Sequence, residues 1–203
     1  MQAILLIRVS PRPASFSRRI AGELAERLVR RHPGARLIDR DLAAAPPPHP
    51  DRAFYEAILS REPGPHPVLD ESERLIGELE QADAVVIGTP MNNFTVPSTL
   101  KAWLDHIVRI RRTFASTPQG KQGLLKDRPV FVVTASGGYS GDAPPASPDF
   151  LTPYLRAILA CIGLHDVAFL RMEGTARGPE ATAQALSAAR AWIDDRLPLR
   201  TPA

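Results

Sequence analysis

With a single cysteine among 203 residues, the chain carries no internal disulfide framework, which fits a reducing compartment. No apolar run approaches the ~18 residues that a membrane span requires, so no membrane partner is expected. The first ten residues read as a strand, and the next few carry arginine and proline in place of an apolar signal core. The expectation is a soluble, cytoplasmic protein. Charge of one sign is lacking as well: 25 basic residues stand against 22 acidic, a net charge of +3. The basic residues are scattered except at Arg109, Arg111 and Arg112, which argues against a nucleic-acid partner. The five histidines, His32, His49, His66, His106 and His165, show no metal-ligand spacing, and no metal site is expected. Neither a glycine-rich dinucleotide fingerprint nor a Gly-Lys-Ser/Thr phosphate loop is present. No catalytic triad is evident. The length suits one domain, residues 1–203, burying roughly 70% of the unfolded chain's surface.

What is present is organised around the stretch Gly88-Thr89-Pro90-Met91-Asn92-Asn93-Phe94-Thr95-Val96-Pro97. It follows the apolar run Ala84-Val85-Val86-Ile87, a strand buried on both faces, and it feeds a helix over residues 98–110. A loop leaving the carboxyl end of a parallel strand is where open α/β sheets bind ligands. Pro90 and Pro97 stiffen its ends. Between them stand the apolar Met91 and Phe94 and the amides Asn92 and Asn93, a mixture suited to an aromatic heterocycle with a hydrogen-bonding edge.

Apolar runs predict further strands at residues 3–7, 35–38, 130–134 and 167–170. Helical spacing of Ile20, Leu24 and Leu28 predicts an amphipathic helix over residues 16–31, stopped by Pro33-Gly34. Further helices are expected over 70–80, with Leu69, Ile76 and Leu79 inward, over 150–162 and over 180–197. Residues 43–67 hold many of the 21 prolines and read as a surface excursion with a short helical stretch at 54–59, or else as a lid or dimer contact. Five strands alternating with helices make a doubly wound α/β fold. Trp103, Leu104 and Cys161 read as packing residues.

In such a sheet the loops after the first, third and fourth strands open on one edge. The first offers Ser10, Ser15 and Ser17 around a helix start, where free N–H groups and the helix dipole favour a monophosphate; the alternative is that Ser15 or Ser17 is only an N-cap. Arg18 and Arg19 would neutralise a phosphate there or else point to solvent. The third offers Ser136-Gly137-Gly138, whose backbone can approach a ligand closely or simply turn. Were the ligand a flavin, these amides would stabilise the negative charge of its reduced pyrimidine end. Arg109, Arg111 and Arg112 would draw in an anionic nucleotide or dye, or form a solvated charged face.

Together, Pro90-Met91-Asn92-Asn93-Phe94, Val96-Pro97-Ser98-Thr99-Leu100-Lys101 with Asp105, Thr113-Phe114, and Thr134-Ala135-Ser136-Gly137-Gly138 carry a resemblance. Leu151-Thr152-Pro153-Tyr154-Leu155, Gly163, Glu173-Gly174 and Gly178-Pro179-Glu180 extend it along almost the whole chain. In order and spacing these segments resemble the FMN-dependent NADH-azoreductases, the flavodoxin-like quinone and azo-dye reductases. The resemblance implies a flavodoxin-like, doubly wound, five-stranded parallel sheet of order 2-1-3-4-5 with helices on both faces. It implies a homodimer with one tightly bound FMN per subunit near the dimer interface. By position Ser10, Ser15, Phe16 and Ser17 would hold the phosphate, and Met91, Asn92, Asn93 and Phe94 would frame the ring. Ala135, Ser136, Gly137 and Gly138 would bound its other side. The implied chemistry is ping-pong hydride transfer from NADH or NADPH, through FMN, to a quinone or azo compound. It asks for no catalytic side chain, because the flavin carries the chemistry.

Two positions depart from the family pattern: Asn92 and Ser136 stand where many relatives have tyrosine and arginine, removing two large side chains beside the expected ring. Residues 43–67 and 116–121 also resemble the family poorly and are expected to shape the substrate opening. The neighbouring readings are an NADPH-dependent flavin or chromate reductase, told apart by release of reduced FMN, and a non-catalytic electron carrier, told apart by absence of turnover.

Overall fold

The computed structural model describes residues 1–60, 66–140 and 147–198. The five apolar runs become the parallel strands β1 (Ala3–Arg8), β2 (Arg36–Asp41), β3 (Ala84–Pro90), β6 (Val130–Ala135) and β7 (Val167–Met172). They pair in the order β2-β1-β3-β6-β7, which renumbered within the sheet is the expected 2-1-3-4-5. Alternate residues of the central strands face opposite sides. Leu5, Ile7, Val85, Ile87 and Val132 face α3 (Asp70–Gln81), α4 (Ser98–Ile107) and α5 (Leu151–Cys161). Ile4, Leu6, Val86 and Val133 face α1 (Phe16–Arg31) and α6 (Pro179–Arg196).

Helix α1 takes the predicted bounds and buries Ile20, Leu24 and Leu28, because apolar residues four apart share one helical face. It lies unusually close to β3. A Cβ on Gly88 would come 2.6 Å from the Ala21 Cβ and 2.7 Å from the Ser17 carbonyl oxygen. Glycine in mid-strand therefore lets the first turns of α1 press onto the end of β3.

Strand β2 runs later than the predicted 35–38, because as the sheet's edge it is half-exposed and its outer half is charged instead of apolar. Its charges are engaged: Asp39 with Arg8, Arg40 with Glu78, Asp41 with Arg18, and Arg36 with Gln81. Helix α4 stops three residues short of the predicted 110. The Thr113 hydroxyl donates to the Ile107 carbonyl and accepts from the Arg109 N–H, and Arg111 turns the chain at φ +64°.

A hairpin follows that the sequence did not announce, β4 (Phe114–Thr117) against β5 (Gly120–Gly123). Its glycine end sits against α5: a Cβ on Gly123 would collide with the Gly163 backbone, and Leu125 N–H donates to the Ile162 carbonyl at 3.1 Å.

The proline-rich excursion is partly anchored. Helix α2 (Arg52–Leu59) starts on an Asp51 cap bonded to the Phe54 N–H at 2.9 Å. Phe54 is buried edge-on against His106, ring centroids 5.0 Å apart, and His106 Nε2 donates to the Pro48 carbonyl at 2.9 Å. The stretch at 61–65 and most of the link at 141–149 lie outside the described residues. Trp103 and Leu104 are buried as expected, and Cys161 is half-buried. Among the described residues no helix is long and apolar enough to cross a membrane.

Candidate functional site

After β1 the chain passes to the α1 face, and after β3 to the α4 face, so a crevice opens at the carboxyl ends of these neighbouring strands. Two adjoining cavities occupy it. The larger, ≈ 430 Å³, is lined by Ser10, Arg12, Ser15, Phe16, Asn92 and Ala135 among others. The smaller, ≈ 200 Å³, is lined by Asn93, Phe94, Ser136, Gly138 and Tyr139 among others. Met91 and Gly137 line both. Of the twelve residues singled out from the sequence, only Ser17 lies outside these walls, and its hydroxyl reaches that of Ser15 at 3.0 Å.

The larger cavity ends on the start of α1. Ser10, Ser15 and Ser17 are buried there. Ser15 occupies the N-cap position, but its hydroxyl makes no capping bond and pairs with Ser17 instead. Among the described residues the first-turn amides are thus left for another acceptor, at the positive end of the helix dipole. Arg18 turns away from this end: it pairs with Asp41 at 2.5 and 3.1 Å and donates to the Ser10 carbonyl at 2.9 Å. The hydrogen bond from Arg18 to Asp41, with help from the Ala43 and Ala44 amides against the cost of burial, brings the Asp41 carboxyl down to about 2. Arg19 is exposed over the Phe16 ring. The cation that does line the cavity is Arg12, an exposed residue between two prolines that no sequence pattern marked.

The organising loop closes on itself. Asn92 and Thr95 exchange backbone hydrogen bonds, 3.0 Å each way, around Asn93 at φ +47° and Phe94 at φ +68°. Positive φ at both central residues belongs to the tight turns that suit twisted hairpins. Asparagine tolerates that region, while phenylalanine there is uncommon and strained. Phe94 is 46% exposed and lines the smaller cavity.

The Ser136-Gly137-Gly138 loop is held from behind by the segment after β7. Thr175 donates to the Ser136 carbonyl through its N–H at 3.1 Å and its hydroxyl at 2.9 Å. Gly174 and Ala176 donate to the carbonyls of Gly138 and Gly137, and the Ser136 hydroxyl donates to the Gly138 carbonyl at 2.9 Å. With the carbonyls engaged, the N–H groups of Gly137 and Gly138 have no partner among the described residues. Thr175 and Ala176, also on the larger cavity's wall, were missed by the sequence reading. The only local signal for them was Gly174 just past an apolar run.

The arginine cluster after α4 lines neither cavity, and its side chains are engaged within the chain although Arg111 is exposed. Arg109 donates to Ser72 and Glu73, Arg111 to the carbonyls of Ile58 and Ser60, and Arg112 to Glu73 and Glu80. These pairs fasten α2, α3 and the post-α4 loop, and the Arg112 hydrogen bond holds the Glu80 carboxyl below its ordinary range. Among the described residues no group of three or more His, Cys, Asp or Glu is placed to hold a metal.

The family model for the flavodoxin-like fold matches residues 2–197. The FMN-dependent NADH:quinone oxidoreductase 2 of Cupriavidus pinatubonensis is 49% identical over 197 residues, 95% of this chain and 96% of its own. An azoreductase from Bacillus anthracis str. Sterne superposes with a TM-score of 0.87 at 20% identity, over 97% of this chain and 99% of its own. An FMN-dependent NADH-azoreductase from Bacillus anthracis str. Ames Ancestor, solved in complex with FMN, gives 0.81 at 26% identity, over 97% of this chain and all of its own. With a sheet of this order and relatives alike along its length, the chain belongs to the flavodoxin-like family of FMN-dependent NADH:quinone oxidoreductases and azoreductases.

Proposed function

We propose that this protein is an FMN-dependent oxidoreductase that carries hydride from NADH to quinones and azo compounds. The observation that carries the reading is the meeting, around two adjoining cavities, of an uncapped helix start, an apolar and amide-bearing turn, and a glycine pair with open N–H groups. This donor set fits FMN. Buried hydroxyls and first-turn amides suit a monophosphate held permanently. The larger cavity lies within the 300–1,000 Å³ typical of ligand sites.

Bound FMN supplies two-electron hydride chemistry between a nicotinamide nucleotide and the acceptor. The protein's part is to bind, orient and polarise. Ser10, Ser15, Ser17 and the amides of Phe16 and Ser17 hold the phosphate, and Arg12 offsets its charge. Met91 and Phe94 supply apolar contact to the ring, while Asn92 and Asn93 meet its polar edge. Ala135 and Ser136 bound the opposite side. The N–H groups of Gly137 and Gly138 are positioned to stabilise negative charge at the pyrimidine end. No side chain is assigned as acid or base.

Residues 1–203 form, on this reading, one FMN-binding domain built on the single five-stranded sheet. The working unit is a homodimer in the cytoplasm; Tyr55, Leu59 and Val68, three exposed apolar side chains close in sequence, support an apolar contact between subunits. The test is an absorption spectrum of the purified protein desalted after mixing with equimolar FMN, then given NADH without oxygen, then a quinone. Retained flavin that bleaches with NADH and recovers with quinone is expected. Retained flavin without turnover would favour a carrier, and reduced FMN leaving the protein would favour a flavin reductase.

A further inference from the structure

Tyr139 has no part in the roles above, yet it is held more firmly than an exposed side chain requires. Its ring lies on the backbone of Gly174, where a Cβ would come within 2.5 Å of the ring's Cζ and hydroxyl oxygen. Gly174, at φ +69°, is doubly suited to that place, needing neither side-chain space nor the ordinary backbone region. The main chain is fastened beside the ring. The Tyr139 carbonyl accepts from the Ser147 N–H at 2.9 Å, and the Ser140 N–H and hydroxyl both donate to the Glu173 carboxylate. Thus anchored, the Tyr139 side chain is 47% exposed on the wall of the smaller cavity, which it shares with Met91 and Phe94. Among the described residues neither Tyr139 nor Phe94 makes a ring–ring contact with another aromatic. A ring seated against backbone on one face has less freedom to lose when a flat ligand settles on the other, which is what makes rigid aromatics efficient contact surfaces.

We infer that Tyr139 is a specificity-determining residue: with Phe94 it forms an aromatic wall that stacks the acceptor and favours fused-ring quinones over single-ring ones. The inference rests on the FMN reading and deepens it. Phe94 gives the wall its face from the organising loop, and Tyr139 adds a second from the neighbouring one.

The test compares wild type with Tyr139→Leu and Tyr139→Phe, using a naphthoquinone and a benzoquinone as acceptors. Calorimetric titration of a non-reducible fused-ring flavone into the FMN-loaded protein is run alongside. Aromatic contacts contribute ~0.5–1.5 kcal/mol, so Tyr139→Leu should raise KM for the naphthoquinone, and weaken the flavone, by roughly two- to twelvefold. kcat and FMN affinity should hold, the benzoquinone should suffer less, and Tyr139→Phe should behave as wild type. Equal losses for both quinones, no loss for either, or loosened FMN in Tyr139→Leu would each overturn the inference, the last by revealing a structural prop. Flavin occupancy and NADH consumption of the wild type are measured first. Their absence would remove the FMN reading itself, and the inference with it, whereas a normal wild type with indifferent Tyr139 variants would sink the inference alone.

Discussion

Asn93 and Phe94 share a left-handed backbone but not its cost. An L-residue in that region costs roughly 1–2 kcal/mol, and asparagine is among the few residues that visit it routinely. Asn93→Ala should therefore lose both the side-chain amide and the turn's ease, lowering FMN retention and Tm together. Asn93→Gly should keep the turn and lose only the amide. Fluorescence titration of FMN against both variants separates the contributions, and equal affinity to wild type in both would remove Asn93 from the site. Residue types chosen for their chemistry were legible: the three serines, the loop amides and the glycine pair all lie at the crevice or one hydroxyl away from it. Arg12, Tyr139, Thr175 and Ala176 were not. Each reaches the site only because β7 delivers its following loop behind β6, or because a neighbouring residue turns the chain, and no local pattern encodes either.

Among the elements, α1 was legible to the residue because its burial on one face sets a period, while the β4–β5 hairpin was illegible because its residues, Phe114 aside, are half or fully exposed. The contact of α1 with β3 makes a direct prediction. Gly88→Ala places a methyl group against Ala21 and the Ser17 carbonyl, an overpacking that costs about 1–3 kcal/mol if the elements part. Because Ser17 moves with it, thermal stability and FMN affinity should fall together. A variant with lowered Tm and wild-type FMN affinity would show that this helix start does not hold the phosphate.

The link between α1 and β2 is ionic and titrates. Asp41 falls from an ordinary 3.8 to about 2 in the fold, chiefly through its hydrogen bond from Arg18. A depressed carboxyl stabilises the folded state above its unfolded value and loses that contribution as pH drops through the folded one. The stability difference between wild type and Asp41→Asn should therefore be full above pH ~4 and shrink toward pH ~2. Urea melts across that window check it, and a difference that stays constant with pH would mean the pair does not form. Since Arg18 also donates to the Ser10 carbonyl, the acid loss should reach the loop at the mouth of the larger cavity.

At the scale of the whole molecule, ligand and assembly bear on the same melting curve. FMN that binds only the folded chain adds about 2.7 kcal/mol at a hundredfold excess over Kd. Adding FMN should raise Tm, and adding more protein should raise it again where subunits associate. Sedimentation velocity on wild type and Leu59→Glu, a substitution at a 66% exposed position, should give a dimer for the first and a shift toward monomer for the second. A monomeric wild type would end the homodimer reading. The general architecture was readable because buried parallel strands announce themselves as apolar runs; whether Tyr55, Leu59 and Val68 meet a second subunit was not, because exposed apolar residues carry no local pattern that tells a contact surface from ordinary exposure.

The charged margin at β2 has a further consequence. An open parallel sheet offers a row of unsatisfied backbone groups along each flank, an invitation for another copy to continue the ribbon. Here that flank carries Arg36, Asp39, Arg40 and Asp41, three of them in ion pairs within the chain and Arg36 bonded to Gln81. To dock there, a newcomer would have to displace these settled partners. Growth by strand addition is disfavoured on that side, so the homodimer proposed for this chain would have to join elsewhere and not by extending the ribbon at β2.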